Sequence, residues 1–112
     1  VRIGFATEGS GGLDAPVSTR FGRCETFTIV EVGGNGEIRS VKVVRNPGAS
    51  AASGAGVKAA QKLIDEAVDI AVGGNIGPNS MAVLSEVGIK VVTISGQNKT
   101  VKEALREVLS SL

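Results

Sequence analysis

The sequence contains no histidine, no tryptophan, no tyrosine and a single cysteine. Each absence excludes a class of chemistry. Without imidazole there can be no Ser–His or Cys–His catalytic pair. One thiol makes no internal disulfide. With no His beside it, one thiol also makes no self-contained zinc or four-cysteine iron–sulfur site. Phe5, Phe21 and Phe27 are the only aromatic residues, too few for a platform on which single-stranded bases stack. The formal charge of +1 sets up no field that would draw DNA or an anionic membrane. No apolar run approaches the roughly 20 residues of a membrane span. The first residues read as a strand rather than as a charged and apolar leader. A two-metal site needs several converging carboxylates, and only Glu8 and Asp14 fall near a plausible crevice.

What is present suits one α/β domain over residues 1–112, expected to be cytoplasmic. Residues 1–7 are short, apolar and β-branched at alternate places, the mark of a strand. A long polar loop follows to about residue 23. Residues 25–32 and 37–45 form two more strands around Gly33-Gly34-Asn35-Gly36. The Asn-Gly pair supplies the positive φ angles of a tight hairpin, so these strands are antiparallel neighbours. Residues 46–56 are small and of low complexity, with too little side chain to pack, and are expected to be flexible.

From Val57 the period becomes helical, with Ala60, Leu63, Ile64, Ala67 and Val68 on one face. Residues 69–73 are a short buried strand. Gly77-Pro78 opens a second helix, with Met81, Leu84 and Val87 on its inner face and Gly88 at its end. Residues 89–94 form the last strand. Thr100-Val-Lys-Glu103 is a capping-box sequence, followed by a stripe of Val101, Ala104, Leu105, Val108, Leu109 and Leu112.

The order βββαβαβα predicts a five-stranded mixed sheet with three helices, in strand order 3-2-1-4-5, because helix-connected strands 4 and 5 must run parallel through right-handed crossovers. This topology gathers the loops 8–24, 46–56, 73–77 and 95–99 at one edge. Open α/β sheets bind ligands there, where strand order reverses, here between strands 1 and 4. The opposite edge carries tight turns, and Asp65, Glu66 and Asp69 there read as solvated or capping residues.

Thr19-Arg20-Phe21-Gly22-Arg23-Cys24-Glu25 is the most informative stretch. In one reading Arg20 and Arg23 supply charge-assisted donors, and Cys24 offers a soft thiolate ligand. In the other, Cys24 is a small buried hydrophobe, Phe21 a core anchor and the arginines surface residues. Ser53-Gly54-Ala55-Gly56 leads into the first helix, and Gly73-Gly74-Asn75-Ile76-Gly77-Pro78 into the second. Each helix start could hold an anion on its free N–H groups or be a plain tight turn. Neither has the Lys-Ser/Thr of a P-loop nor the glycine spacing of a dinucleotide fingerprint.

Val1-Arg-Ile-Gly-Phe-Ala-Thr7, Pro16-Val-Ser-Thr-Arg-Phe-Gly-Arg-Cys24, Asn46-Pro47, Gly54-Ala-Gly56, Gly74-Asn-Ile-Gly-Pro78 and Gly88-Ile-Lys-Val-Val92, taken in order, resemble the dinitrogenase iron–molybdenum cofactor biosynthesis family of NifX-type carriers and the C-terminal part of NifB-type proteins. The resemblance covers essentially the whole chain. It implies a ribonuclease-H-like α/β fold and a non-catalytic carrier of an iron–sulfur or iron–molybdenum-type cluster or its precursor. The implied partners are the cluster and cluster-assembly proteins, not nucleic acid or membrane. The family pattern commonly has His before Phe-Gly-Arg where this sequence has Arg20, so imidazole ligation is impossible and Cys24 is the one strong metal ligand. The expected cofactor-binding set is Arg20, Gly22, Arg23, Cys24, Gly54, Gly56, Asn75 and Gly77. The competing classes are a module for a phosphate-bearing small molecule, held by the helix starts at Gly54–Gly56 and Gly77, and a protein-interaction domain using the same crevice.

Overall fold

A computed structural model of the chain describes residues 1–95 and 98–112. The strands are β1 (Arg2–Thr7), β2 (Thr26–Val32), β3 (Ile38–Arg45), β4 (Ile70–Gly73) and β5 (Lys90–Thr93). The helices are α1 (Ala55–Asp65), α2 (Pro78–Glu86) and α3 (Val101–Ser110). The sheet order is β3-β2-β1-β4-β5. β2 is antiparallel to β1 and β3, whereas β1–β4 and β4–β5 are parallel. The expected topology is therefore the observed one. Of the loop expected over 95–99, residues 96 and 97 lie outside the described residues. Among the described residues, no helix is long and apolar enough to cross a membrane.

Strand alternation splits the core into two layers. One face of the sheet sends Ala6, Phe27, Ile29 and Ala71 against Ala59, Ala60 and Leu63 of α1 and Leu84 of α2. The other sends Ile3, Phe5, Val30, Val32 and Val72 against Val101, Ala104, Leu105 and Val108 of α3. The capping box at Thr100 and Glu103 is formed as its sequence predicts. At the turn-rich edge, Asp69 accepts the Arg2 N–H at 2.8 Å. Glu66 meets Lys42 at 2.8 Å and Lys62 at 3.6 Å. The Lys42 hydrogen bond holds the Glu66 carboxyl below its ordinary range.

Two helical readings are corrected. The inner face of α2 is Ser80 and Leu84, while Met81 and Val87 are exposed. Ser80 turns inward because its hydroxyl donates to the Gly56 carbonyl at 2.9 Å, where α1 and α2 touch. The first helix also ends earlier than its apolar stripe. Ala67 takes φ +56°, and its N–H and that of Val68 turn back to Ile64 and Leu63 carbonyls, a Schellman closure. Gly88 does the same after α2 at φ +82°, without the Cβ penalty. That penalty is about 1–2 kcal/mol for an L-residue, partly offset by the extra chain entropy of glycine. Ala67→Gly is therefore expected to stabilise the fold by about 0.5–1 kcal/mol, read as a higher urea midpoint. An unchanged or lower midpoint would contradict it.

Candidate functional site

The switch point between β1 and β4 is filled by the chain's own loop. The Ser18 N–H donates to the Ala6 carbonyl on β1 at 2.7 Å, and the Ser18 carbonyl accepts from Gly74 at 2.8 Å. Phe21 N–H donates to the Asn75 carbonyl at 3.3 Å. A short 3-10 turn, Phe21–Arg23, then drops the Phe21 ring into the core, 5.2 Å from that of Phe27. These contacts staple the loop across the place the topology suggested.

Behind this turn lies a second one, Pro47–Ser50, within the segment expected to be flexible. Its small residues serve close packing instead. A Cβ on Gly48 would stand 2.5 Å from the carbonyl oxygens of both Gly22 and Ala55. One on Gly22 would stand 3.2 Å from the Gly56 backbone, and one on Gly56 2.7 Å from Ser80 Oγ. Three glycines thus let two turns and the first turns of α1 and α2 meet backbone to backbone. Asn46 is 4% exposed and locks the stack. Its Nδ2 donates to the carbonyls of Cys24 at 2.8 Å and Gly22 at 3.2 Å, and its Oδ1 accepts from Gly48 N–H at 2.8 Å.

The two arginines part ways. Arg23 is exposed, and one of its guanidinium nitrogens donates to the Ala51 carbonyl at 2.6 Å, which pins the second turn. Arg20 is 64% exposed, with its only described ion-pair contact at Glu8 Oε2, 3.5 Å away. The same carboxylate oxygen accepts from Ser18 Oγ at 2.6 Å, while Glu8 Oε1 is buried and meets no donor among the described residues.

Of the two readings of Cys24, the geometry carries the core one. The thiol is fully buried and donates to the Phe21 carbonyl at 3.3 Å. Burial pushes its pKa from the ordinary 9.0 to about 12, against the opposing hydrogen bond from Asn46. In this conformation the buried sulfur faces the core and burial favours its protonated form, which supports the packed-thiol reading over the thiolate one. Among the described residues no three His, Cys, Asp or Glu side chains come together to hold a metal ion.

Gly54 caps α1 in a left-handed conformation, Gly77 caps α2, and neither helix has a side-chain cap or an acid in its first turn. Gly54, Asn75 and Gly77 are exposed, and the two helix starts abut at Gly56 and Ser80. Two uncapped N-termini thus lie side by side, each with unpaired N–H groups and a positive dipole end. Of the eight expected residues, Arg20, Arg23, Gly54, Asn75 and Gly77 are exposed at this edge. Gly22, Gly56 and Cys24 build the support beneath. Sequence reading missed Asn46 as the lock, and its only signal was the Asn-Pro pair. It also missed Ser18 and Ser80, whose small side chains look the same in a loop or a core.

A family profile described as dinitrogenase iron-molybdenum cofactor matches residues 1–111. The chain belongs to this family. The family is associated with biosynthesis of that cofactor. The apo form of the orange protein from Desulfovibrio gigas is 32% identical with a TM-score of 0.84, covering 98% of this chain and 88% of that one. The NMR structure of a NifB-type protein from Thermotoga, placed in the DUF35 family, is 33% identical with a TM-score of 0.74, covering 98% of this chain and 87% of that one. An uncharacterized protein of Methanocaldococcus jannaschii is 36% identical over 75 residues, which is 67% of this chain. The match spans only 63% of that relative's length.

Proposed function

We propose that residues 1–112 act as one non-catalytic, cytoplasmic carrier domain for an anionic iron–sulfur or iron–molybdenum-type cluster or its precursor, passed to and from cluster-assembly proteins. The observation that carries this reading is the pair of abutting, uncapped helix starts at Gly54–Gly56 and Gly77, on the edge of the sheet that also bears the exposed Arg20. Aligned N–H groups with no acid in either first turn favour a negative charge. A preassembled cluster brings its own sulfides, so it needs donors and positive field more than a cage of side-chain ligands. That suits a chain whose one thiol is buried. Glu8 competes with the cargo for Arg20.

Anaerobic reconstitution with iron and sulfide tests the reading: retained metal with broad visible absorption supports it. A phosphate-type ligand on the same N–H groups would instead raise the melting temperature with inorganic phosphate and give no colour. Arg20→Ala is expected to weaken cluster retention about fivefold at low salt, the difference closing as salt screens an exposed charge. Glu8→Gln should strengthen it, because the guanidinium is released. Equal metal per chain in wild type and both variants at every salt concentration would remove Arg20 from the site.

A further inference from the structure

β3 lies at the end of the sheet and pairs only with β2. Every residue of it except Val44 is exposed. The register shifts where Val32 pairs with Ile38, leaving Arg39 outside the ladder. The regular open run is therefore Ser40-Val-Lys-Val-Val-Arg45, about 20 Å of unpaired strand edge at about 3.3 Å per residue. Val41 and Val43 are 41% and 40% exposed on one face. At the carboxyl end of this run a cleft of about 450 Å³ opens between Gly9 and Ser10 on one side and Ala49 and Ser50 on the other, floored by Val43 and flanked by Arg45. None of the eight residues of the expected site lines it.

The charges say what fits. The open run holds Lys42 and Arg45 and no acid. Lys42 is engaged by Glu66 at 2.8 Å, whereas Arg45 has no ion-pair partner among the described residues. A second copy pairing edge to edge would bring the same two cations and no carboxylate to this ladder, and like charges across a strand pair are destabilising. Glu25 also lines the cleft, so the occupant meets a carboxylate as well as the guanidinium and gains most where its acid lies against Arg45.

We propose that the β3 edge is a docking site for an extended acidic segment of a partner protein, which adds as a sixth strand along Ser40–Arg45 and places a carboxylate side chain against Arg45 in the cleft. Main-chain hydrogen bonds give the affinity and alternate side chains the selectivity, as in other strand additions. The site is separate from the helix starts proposed to hold the cluster, so either can fail without the other.

The test uses two blocked hexapeptides, alternating Val-Glu and alternating Val-Lys, titrated into the full chain and followed by amide shifts and hydrogen exchange. The acidic peptide is expected to shift and protect the amides of residues 40–45, and the basic one to leave them unchanged. Val41→Glu, which sets a like charge on the face that carries Arg45, should weaken acidic-peptide binding at least tenfold. Arg45→Glu should reverse the preference between the peptides, an outcome that mere loss of folding cannot produce. No response of β3 to the acidic peptide, an equal response to both, or protection that grows with protein concentration alone would overturn the proposal, the last by making a second copy the occupant.

Discussion

Gly48→Ala is expected to destabilise the fold by about 3 kcal/mol, at the upper end for overpacking. Gly48 has no positive φ, so alanine there would ordinarily stabilise slightly by restricting the unfolded chain. The sign is set by space alone. The new Cβ would sit 2.5 Å from two carbonyl oxygens, those of Gly22 and Ala55. Both belong to backbone that cannot rotate away: Gly22 is tied to Asn46, and Ala55 begins α1. Relief requires the Pro47–Ser50 turn to lift, which breaks the Asn46 and Arg23 contacts together. Gly54→Ala is the matched control. Gly54 has φ +68° and open space around it, so its cost is conformational, about 1–2 kcal/mol. Urea midpoints of the two variants decide the matter. A Gly48→Ala protein as stable as wild type would show the segment 46–56 to be loose after all.

Cys24 should make the protein sensitive to alkali. Its folded pKa of about 12 lies above the ordinary 9.0, so the unfolded chain releases this proton first. The stabilisation is complete below about pH 9 and is lost as pH rises toward 12. Between pH 8 and pH 11 the loss is about 3 kcal/mol by linkage. Cys24→Ala removes this loss, at a cost of about 1–2 kcal/mol at pH 7 for the packing of the sulfur. Comparing the two proteins cancels the titration of lysines, which is common to both. The thiol of the native protein should also resist alkylation at pH 8. A parallel fall in stability for wild type and Cys24→Ala would show the thiol to be solvated. The variant is expected to keep its cluster in reconstitution. Loss of metal from a stably folded Cys24→Ala protein would return the sulfur to the site as a ligand and require this loop to open.

The sheet was legible because its signals are local. The β2–β3 turn, where Gly36 alone takes positive φ and the expected pair with Asn35 does not form, the Pro78 and Thr100 helix starts and the Gly88 stop each act through the backbone of a few residues. The handedness of crossovers then leaves few ways to order five strands. The end of α1 was misjudged because apolar periodicity records burial, not helix. Val68 is buried after the chain has already turned at Ala67, so it extends the stripe without extending the helix.

The sequence by itself determined the strand order, the edge on which the glycine-rich loops gather and the absence of imidazole chemistry. It also placed Arg20, Gly54, Asn75 and Gly77 on that edge. Only the tertiary structure decided which groups there are available. Arg20 and Arg23 are identical in type, three residues apart and both exposed, yet one meets the Glu8 carboxylate and the other is tied to the Ala51 carbonyl. Cys24 is a core thiol because the fold buries it, although Asn46, twenty-two residues on, reaches back to donate to its sulfur. The glycines of 46–56 look like slack in the sequence and are contact points in the fold. Such outcomes depend on which backbone segments approach within van der Waals distance, a property of pairs distant in sequence that no local pattern records.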